Sequence, residues 1–214
     1  MVVGDSVAAT LFGEVLEAGA VGPTGASAIL NRGQPSCGFI EGAEAHFWRN
    51  TKLFAYECAP GPSWYGNELE TGAADLAILM PGPNETQDQV HDGIRISPCD
   101  GSWDSRFTES MERPIAIARS GGAEPVLVTH APFQFIVAGA NEEVTACVNE
   151  AVRRIGAANN VPVVEFGNYV CPAATFASCP ADSSRERFDH LHWSGPEAVS
   201  HATWIVQQAI TLTS

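Results

Sequence analysis

Short runs of apolar residues alternate along this chain with longer stretches whose apolar positions recur at helical spacing. The runs are Val2-Val3, Ala28-Ile29-Leu30, Leu76 to Met80, Val126-Leu127-Val128 and Val161 to Val164. They are apolar at successive rather than alternate positions, the mark of strands buried on both faces in a parallel sheet. Between the first two runs, Val7, Leu11 and Val15 share one helical face with Phe12 and Leu16, as a 3.6-residue period requires. The segment from Asn141 to Ala158 opens with an asparagine cap followed by Glu142 and Glu143. That order satisfies the first amide groups of a helix and complements its positive end. A last helix is predicted from Gly195-Pro196, carrying Val199, Trp204, Ile205 and Ile210.

Strand followed by helix, repeated, predicts an α/β protein with a doubly wound sheet, whose ligand sites lie beyond the carboxyl ends of the strands. The least regular stretch, Gly82 to Trp103, is long enough to be a functional loop or lid. With 214 residues, 45% of them hydrophobic, the chain can fill one core, so residues 1–214 are expected to form a single domain. Charge narrows the partners. There are 25 acidic residues against 11 basic ones, Lys52 being the sole lysine, for a net charge of −14. Such a surface repels polyanions, so neither nucleic acid nor an anionic membrane is an expected partner.

The six cysteines are an even set without paired CxxC motifs, which favours disulfides over metal. Cys171 and Cys179 bracket a short loop and are expected to pair, with Cys37 and Cys58 the next pairing expected. Disulfides imply an extracellular or cell-envelope location. The opening Met1-Val2-Val3-Gly4 has no basic start or apolar run of signal length, so the export signal or a membrane portion is expected to lie outside this sequence, the alternative being reduced cysteines buried in a cytosolic protein.

Gly4-Asp5-Ser6 follows the first strand and opens the first helix. A serine on that turn exposes its hydroxyl at the carboxyl edge of the sheet, and the N–H groups of the helix start can stabilise an oxyanion. The simpler role for such a serine is a helix cap. Near the other end, Asp189-His190-Leu191-His192 places a carboxylate three positions before a histidine, between the fifth strand and the last helix. Asp189 can there hold Nδ1–H of His192 while Nε2 faces Ser6, as Ser–His–Asp chemistry needs. The rival reading takes Asp189, His190 and His192 as metal ligands. It is the weaker one, because no further nitrogen or sulfur cluster accompanies them and a catalytic zinc would still need a base. After the third strand, the side-chain amide of Asn84 in Gly82-Pro83-Asn84-Glu85 is a neutral donor placed for an oxyanion. The same residues also read as ordinary turn chemistry or as a glycosylation sequon, Asn84-Glu85-Thr86. There is no phosphate loop, dinucleotide fingerprint or G-x-S-x-G elbow, and no cofactor is expected. His46, His91, His130 and His201 have no partner identifiable from sequence, while Trp64, Trp103 and Trp193 are candidates for stacking on a sugar.

Gly4-Asp5-Ser6, Gly82-Pro83-Asn84-Glu85 and Asp189-His190-Leu191-His192 resemble, in order and position, the GDS, GxND and DxxH blocks of the SGNH (GDSL-like) hydrolase superfamily. The resemblance spans nearly the whole chain. It implies a flavodoxin-like three-layer α/β/α sandwich around a parallel five-stranded sheet, no metal, and hydrolysis or transfer of an acyl ester through an acyl-Ser6. It also implies a further backbone donor in the loop after the second strand, where Ser36 and Gly38 are both placed to supply it. Glu85 stands where the family usually has aspartate. Ser36-Cys37-Gly38, Cys58 with Trp64, and Val170-Cys171-Pro172 are most similar to SGNH domains of cell-envelope sugar O-acyltransferases. In that group a membrane acyltransferase domain often belongs to the same parent protein, and many members lack the third-block asparagine, so Asn84 equally suits a free-standing esterase. The expected substrate is a small-molecule or carbohydrate O-acyl ester. A non-catalytic carbohydrate-binding module on the same fold is the contrasting possibility.

Overall fold

In the computed structural model of the chain, the residues described are 1–35, 37–40, 44–46, 65–135, 139–140, 142–173, 179 and 191–214. Five short strands form the central sheet: β1 (Val2–Gly4), β2 (Asn31–Gly33), β4 (Leu76–Met80), β7 (Glu124–Val128) and β10 (Val163–Val164). Their order across the sheet is β2-β1-β4-β7-β10, and all four pairings are parallel. This is the flavodoxin-like order, whose switch point falls where the chain reverses direction across the sheet, beside β1.

Side chains of successive strand residues point to opposite faces, and the core divides accordingly. Val2, Ile78, Met80, Val126 and Val128 pack with α1 (Ser6–Glu17), α5 (Phe166–Val170) and α6 (Gly195–Thr213). Val3, Ala77, Leu79 and Leu127 pack with α2 (Gly66–Glu70), α3 (Gly101–Ser120) and α4 (Glu142–Asn159). The apolar stripe of α1 buries Val7, Leu11, Phe12 and Val15, each contributing about 1.5–3 kcal/mol. Leu16, expected on that face, is exposed. It sits at the margin of the stripe, beside the helix end.

Two other expectations are corrected. The second strand is Asn31–Gly33, immediately after Ala28-Ile29-Leu30. As an edge strand it pairs with β1 alone and tolerates polar residues that a central strand would not. The stretch from Gly82 to Trp103 is not a bare loop. A 3-10 turn at Pro83–Thr86 leads into β5 (Asp88–His91) and β6 (Ile94–Ile96), which form a small antiparallel sheet with β3 (Glu44–His46), and α3 begins within its last residues. A two-stranded ribbon, β8 (Gln134–Phe135) with β9 (Gly139–Ala140), precedes α4. The expected Asn141 cap lies outside the described residues.

Cys171 is joined to Cys179, and Cys99 to Cys147, tying the segment before α3 to α4. Cys37 is also disulfide-bonded, while Cys58, its expected partner, lies outside the described residues. Among the described residues, no helix is long and apolar enough to cross a membrane.

Candidate active site

Three segments converge at the carboxyl edge of the sheet: the β1–α1 turn, the turn after β4 and the residues entering α6. Asp5 caps α1, its carboxylate accepting the Val7 N–H at 2.9 Å. This leaves Ser6 as the first residue of a 12-residue helix, with its backbone N–H at the positive end of the dipole. His192 arrives from the last segment, and its Nε2 lies 2.8 Å from Ser6 Oγ, although the two residues are 186 apart in sequence. That distance permits direct proton transfer between hydroxyl and imidazole. Asp189, expected to orient this histidine, and His190, its companion in the metal reading, lie outside the described residues.

The turn after β4 is held from below. Both the backbone N–H of Asn84, at 3.4 Å, and its side-chain Nδ2, at 3.1 Å, donate to Asp5 Oδ2. The amide nitrogen carries two hydrogens, so the bond to Asp5 leaves one for another acceptor. Gln89 Nε2 donates to the Asn84 carbonyl at 3.2 Å, and the residue is buried. Gly82 fits here because it lacks a side chain: an added Cβ would lie 2.3 Å from Asp5 Oδ2. Asp5 therefore belongs to the site in a way that its role as a cap did not reveal. Burial pushes its carboxyl up to about 6, against the opposing effects of the Val7 and Asn84 N–H groups and of the charge on His192.

Glu85 is fully buried beside it. Its Oε1 accepts the Phe39 N–H at 2.5 Å and its Oε2 the Gly82 N–H at 3.1 Å. Burial, followed by the neighbouring Asp5 carboxylate, pushes Glu85 up to about 8. Gly38 lies against this carboxyl, where a Cβ would come within 2.4 Å of Oε1 and 3.3 Å of the Asn84 Cβ. Gly38 is thus brought next to Asn84, whereas Ser36, the other candidate backbone donor, lies outside the described residues.

From Ser6 a groove of about 440 Å³ runs along α1, lined by Ala9, Thr10, Gly13, Glu14 and Glu17 together with Pro35, Ser6 and His192. Trp103 and Trp193 are buried in the core and do not line it, and Trp64 lies outside the described residues. His130 is also structural. Its N–H donates to Asn149 Oδ1 at 3.0 Å, its ring nitrogen Nδ1 is 3.1 Å from the Ala131 carbonyl, and the residue is buried. The residue of this buried cluster least visible in sequence is Glu85. The one local signal was a glutamate three residues after Gly82, the spacing at which a side chain reaches back to a helix-start N–H.

No family model matches the chain, and no curated protein sequence matches it. Its architecture is nevertheless that of the GDSL-type lipases, acylhydrolases and esterases among solved structures. It is similar to a GDSL-like lipase from Bacteroides thetaiotaomicron at TM-score 0.64 and 10% identity, over 100% of this chain and 87% of that one. An aryl esterase from M. smegmatis matches at TM-score 0.61 and 13% identity, over 99% and 97% of the two chains. A carbohydrate acetylesterase from Sinorhizobium meliloti matches at TM-score 0.58 and 13% identity, again over 99% and 97%. At these identities the likeness is one of fold.

Proposed function

We propose that this protein is an SGNH-type serine esterase acting on short O-acyl esters, with O-acetylated carbohydrate as the substrate class. The observation that carries the reading is the 2.8 Å approach of His192 Nε2 to Ser6 Oγ at a helix start on the carboxyl edge of the sheet. The fold shared with an aryl esterase and a carbohydrate acetylesterase supports it.

In the first step His192 Nε2 takes the Ser6 hydroxyl proton as Oγ bonds to the ester carbonyl carbon, and the carbonyl electron pair moves onto oxygen. Donors from the Ser6 N–H, the Asn84 amide and the Ser36–Gly38 loop hold that oxyanion. On its collapse the bond to the alcohol breaks, and His192 returns the proton to the leaving oxygen. Water then attacks the acyl-serine, giving its proton to His192, and the acid departs with Ser6 restored. Asp189 is assigned the orientation of His192. The disulfides support an extracytoplasmic location.

The groove along α1 is assigned to the alcohol portion. It opens at Ser6 and His192, and neither Gly38 nor Asn84 lines it, so it lies on the side where His192 protonates the leaving oxygen rather than on the oxyanion side. Glu17 lies about 16 Å along the helix from Ser6. With Glu14 it offers acceptors to hydroxyl groups and repels anionic alcohols.

Intact-mass measurement after brief exposure to an acetyl ester tests the reading. One acetyl group on the Ser6 peptide is expected, and none in Ser6→Ala. Wild-type turnover by Ser6→Ala would overturn it. Adding oligosaccharide during the same experiment separates transfer to a sugar hydroxyl, the alternative fate of the acyl-serine, from hydrolysis.

A further inference from the structure

An oxyanion hole assembled from separate loops needs something to fix the distance between them, and the side chain that joins these loops is Glu85. We propose that Glu85 is a positioning residue whose carboxyl clamps the loop after β2 to the turn after β4, so that donors from the two segments converge on one substrate oxygen. Three observations carry this, together with the esterase reading on which its catalytic consequence rests.

The two carboxyl oxygens are divided between the segments. Oε1 takes the Phe39 N–H, which lies 46 residues away in the chain, and Oε2 takes the Gly82 N–H at the start of the turn that presents Asn84. A carboxyl accepting one bond from each loop fixes their separation in a way that a one-oxygen acceptor cannot. The clamp is also closely fitted, because Gly38 leaves no room for a Cβ between itself and Oε1 and stands at contact distance from Asn84. Finally, the group is wholly buried. Water cannot replace a lost partner there, so breaking either bond leaves a backbone N–H unsatisfied.

The longer glutamate side chain also has a reason. The Gly82 N–H is local and within reach of an aspartate at the same position, as in a capping turn. Phe39 belongs to another segment, and the extra methylene spans the gap.

The test uses Glu85→Gln and Glu85→Asp in the full chain. Glutamine keeps the size but offers one acceptor oxygen and turns an NH2 toward a backbone N–H. Aspartate keeps both oxygens but withdraws from Phe39. For a short acetyl ester, well below the melting temperature of each variant, kcat is expected to fall about tenfold to a hundredfold in Glu85→Gln, since small misplacement of reacting groups costs that much. KM should stay within about threefold, because the donors act mainly on the transition state. Glu85→Asp, which loses the Phe39 bond, is expected to lower kcat as well. Affinity for phenylboronic acid, which forms a tetrahedral adduct with a serine oxygen, should fall in parallel with kcat. Full kcat in both variants, or a loss confined to KM, would overturn the proposal.

Amide hydrogen exchange provides an arm that does not depend on activity. Protection at Phe39 and Gly82 should fall together in Glu85→Gln. Undiminished protection at Phe39 would refute the clamp whether or not the protein is an esterase, whereas an inactive wild type with coupled loss of protection would refute only the esterase reading.

Discussion

Replacing Gly13 with leucine should stabilise the protein and at the same time narrow its substrate range. Gly13 lies within α1 and lines the groove that runs from Ser6, and an added Cβ there meets no atom within 4 Å. The helix therefore accepts a side chain without strain. Glycine costs about 1 kcal/mol relative to a good helix former such as leucine. For a chain of this size, about 1 kcal/mol raises Tm by roughly 2–4 °C. The isobutyl group has nowhere to go but the groove, where it displaces whatever the substrate places there. If the alcohol portion loses roughly 80 Å² of apolar contact, the loss is about 2 kcal/mol at 25 cal/mol per Å², or a factor of about thirty in kcat/KM.

The assay compares kcat/KM for an acetylated oligosaccharide with that for ethyl acetate, whose two-carbon alcohol is too short to span the roughly 10 Å along the helix from Ser6 to Gly13. The first should fall about thirtyfold and the second stay within about twofold. Equal losses on both substrates would mean that the mutation disturbs the Ser6 turn rather than the groove. An unchanged ratio in a stabilised protein would show that the alcohol lies elsewhere, and the assignment of the groove would be wrong.

Asn84→Ala should lower kcat by about a hundredfold to a thousandfold with little change in KM, as loss of one oxyanion donor does. Full kcat would make Asn84 a turn residue only. Breaking the Cys99–Cys147 bond by a double alanine substitution should cost about 4 kcal/mol, the loop-closure value for its separation of 48 residues. Denaturant melts of the oxidised protein and the variant measure this, and coincident midpoints would refute it. Stability should also fall as pH rises from the ordinary carboxylate range toward about 8, because the folded state binds the Glu85 proton more tightly than the unfolded chain does. Melting curves of wild type and Glu85→Gln across that range isolate the effect from general acidic repulsion, and parallel pH profiles would exclude it.

What the sequence disclosed follows from where the signals are local. The runs in β4 and β7 are apolar because both faces of those strands are covered, and Ser6 and His192 were legible because a strand–turn–helix junction and a DxxH block each carry their own pattern. β2 was displaced by three residues because an edge strand does not require the apolar run that precedes it. The small sheet of β3, β5 and β6 was hidden for a related reason. Its strands are short and polar in part, and β3 pairs with β5 across a long interval, so no periodicity announces them; the Asp92-Gly93 turn between β5 and β6 is the one local signal of a hairpin. Trp103, a candidate for stacking on a sugar, is instead a core residue: the Asp100 carboxylate caps α3 by accepting the Trp103 N–H at 2.7 Å, and the indole is buried. Glu85 was seen only as a departure from a motif, since its second partner, Phe39, is fixed by tertiary structure alone.

The same burial explains how two acids can sit beneath a site proposed to stabilise negative charge. Were Asp5 and Glu85 both ionised, their charges would oppose the oxyanion forming above them. Burial lifts the two carboxyls to different positions, about 6 and about 8, with Glu85 raised further by the Asp5 charge. Two charges so close and so buried oppose each other, which favours ionisation at Asp5 over Glu85. The single charge that remains is met by the N–H groups of Val7 and Asn84, so it is already compensated when the reaction begins. A charge on His192 draws Asp5 further toward its ionised form. A carboxylate that looks like a helix cap in sequence thus stands at the electrostatic centre of the site.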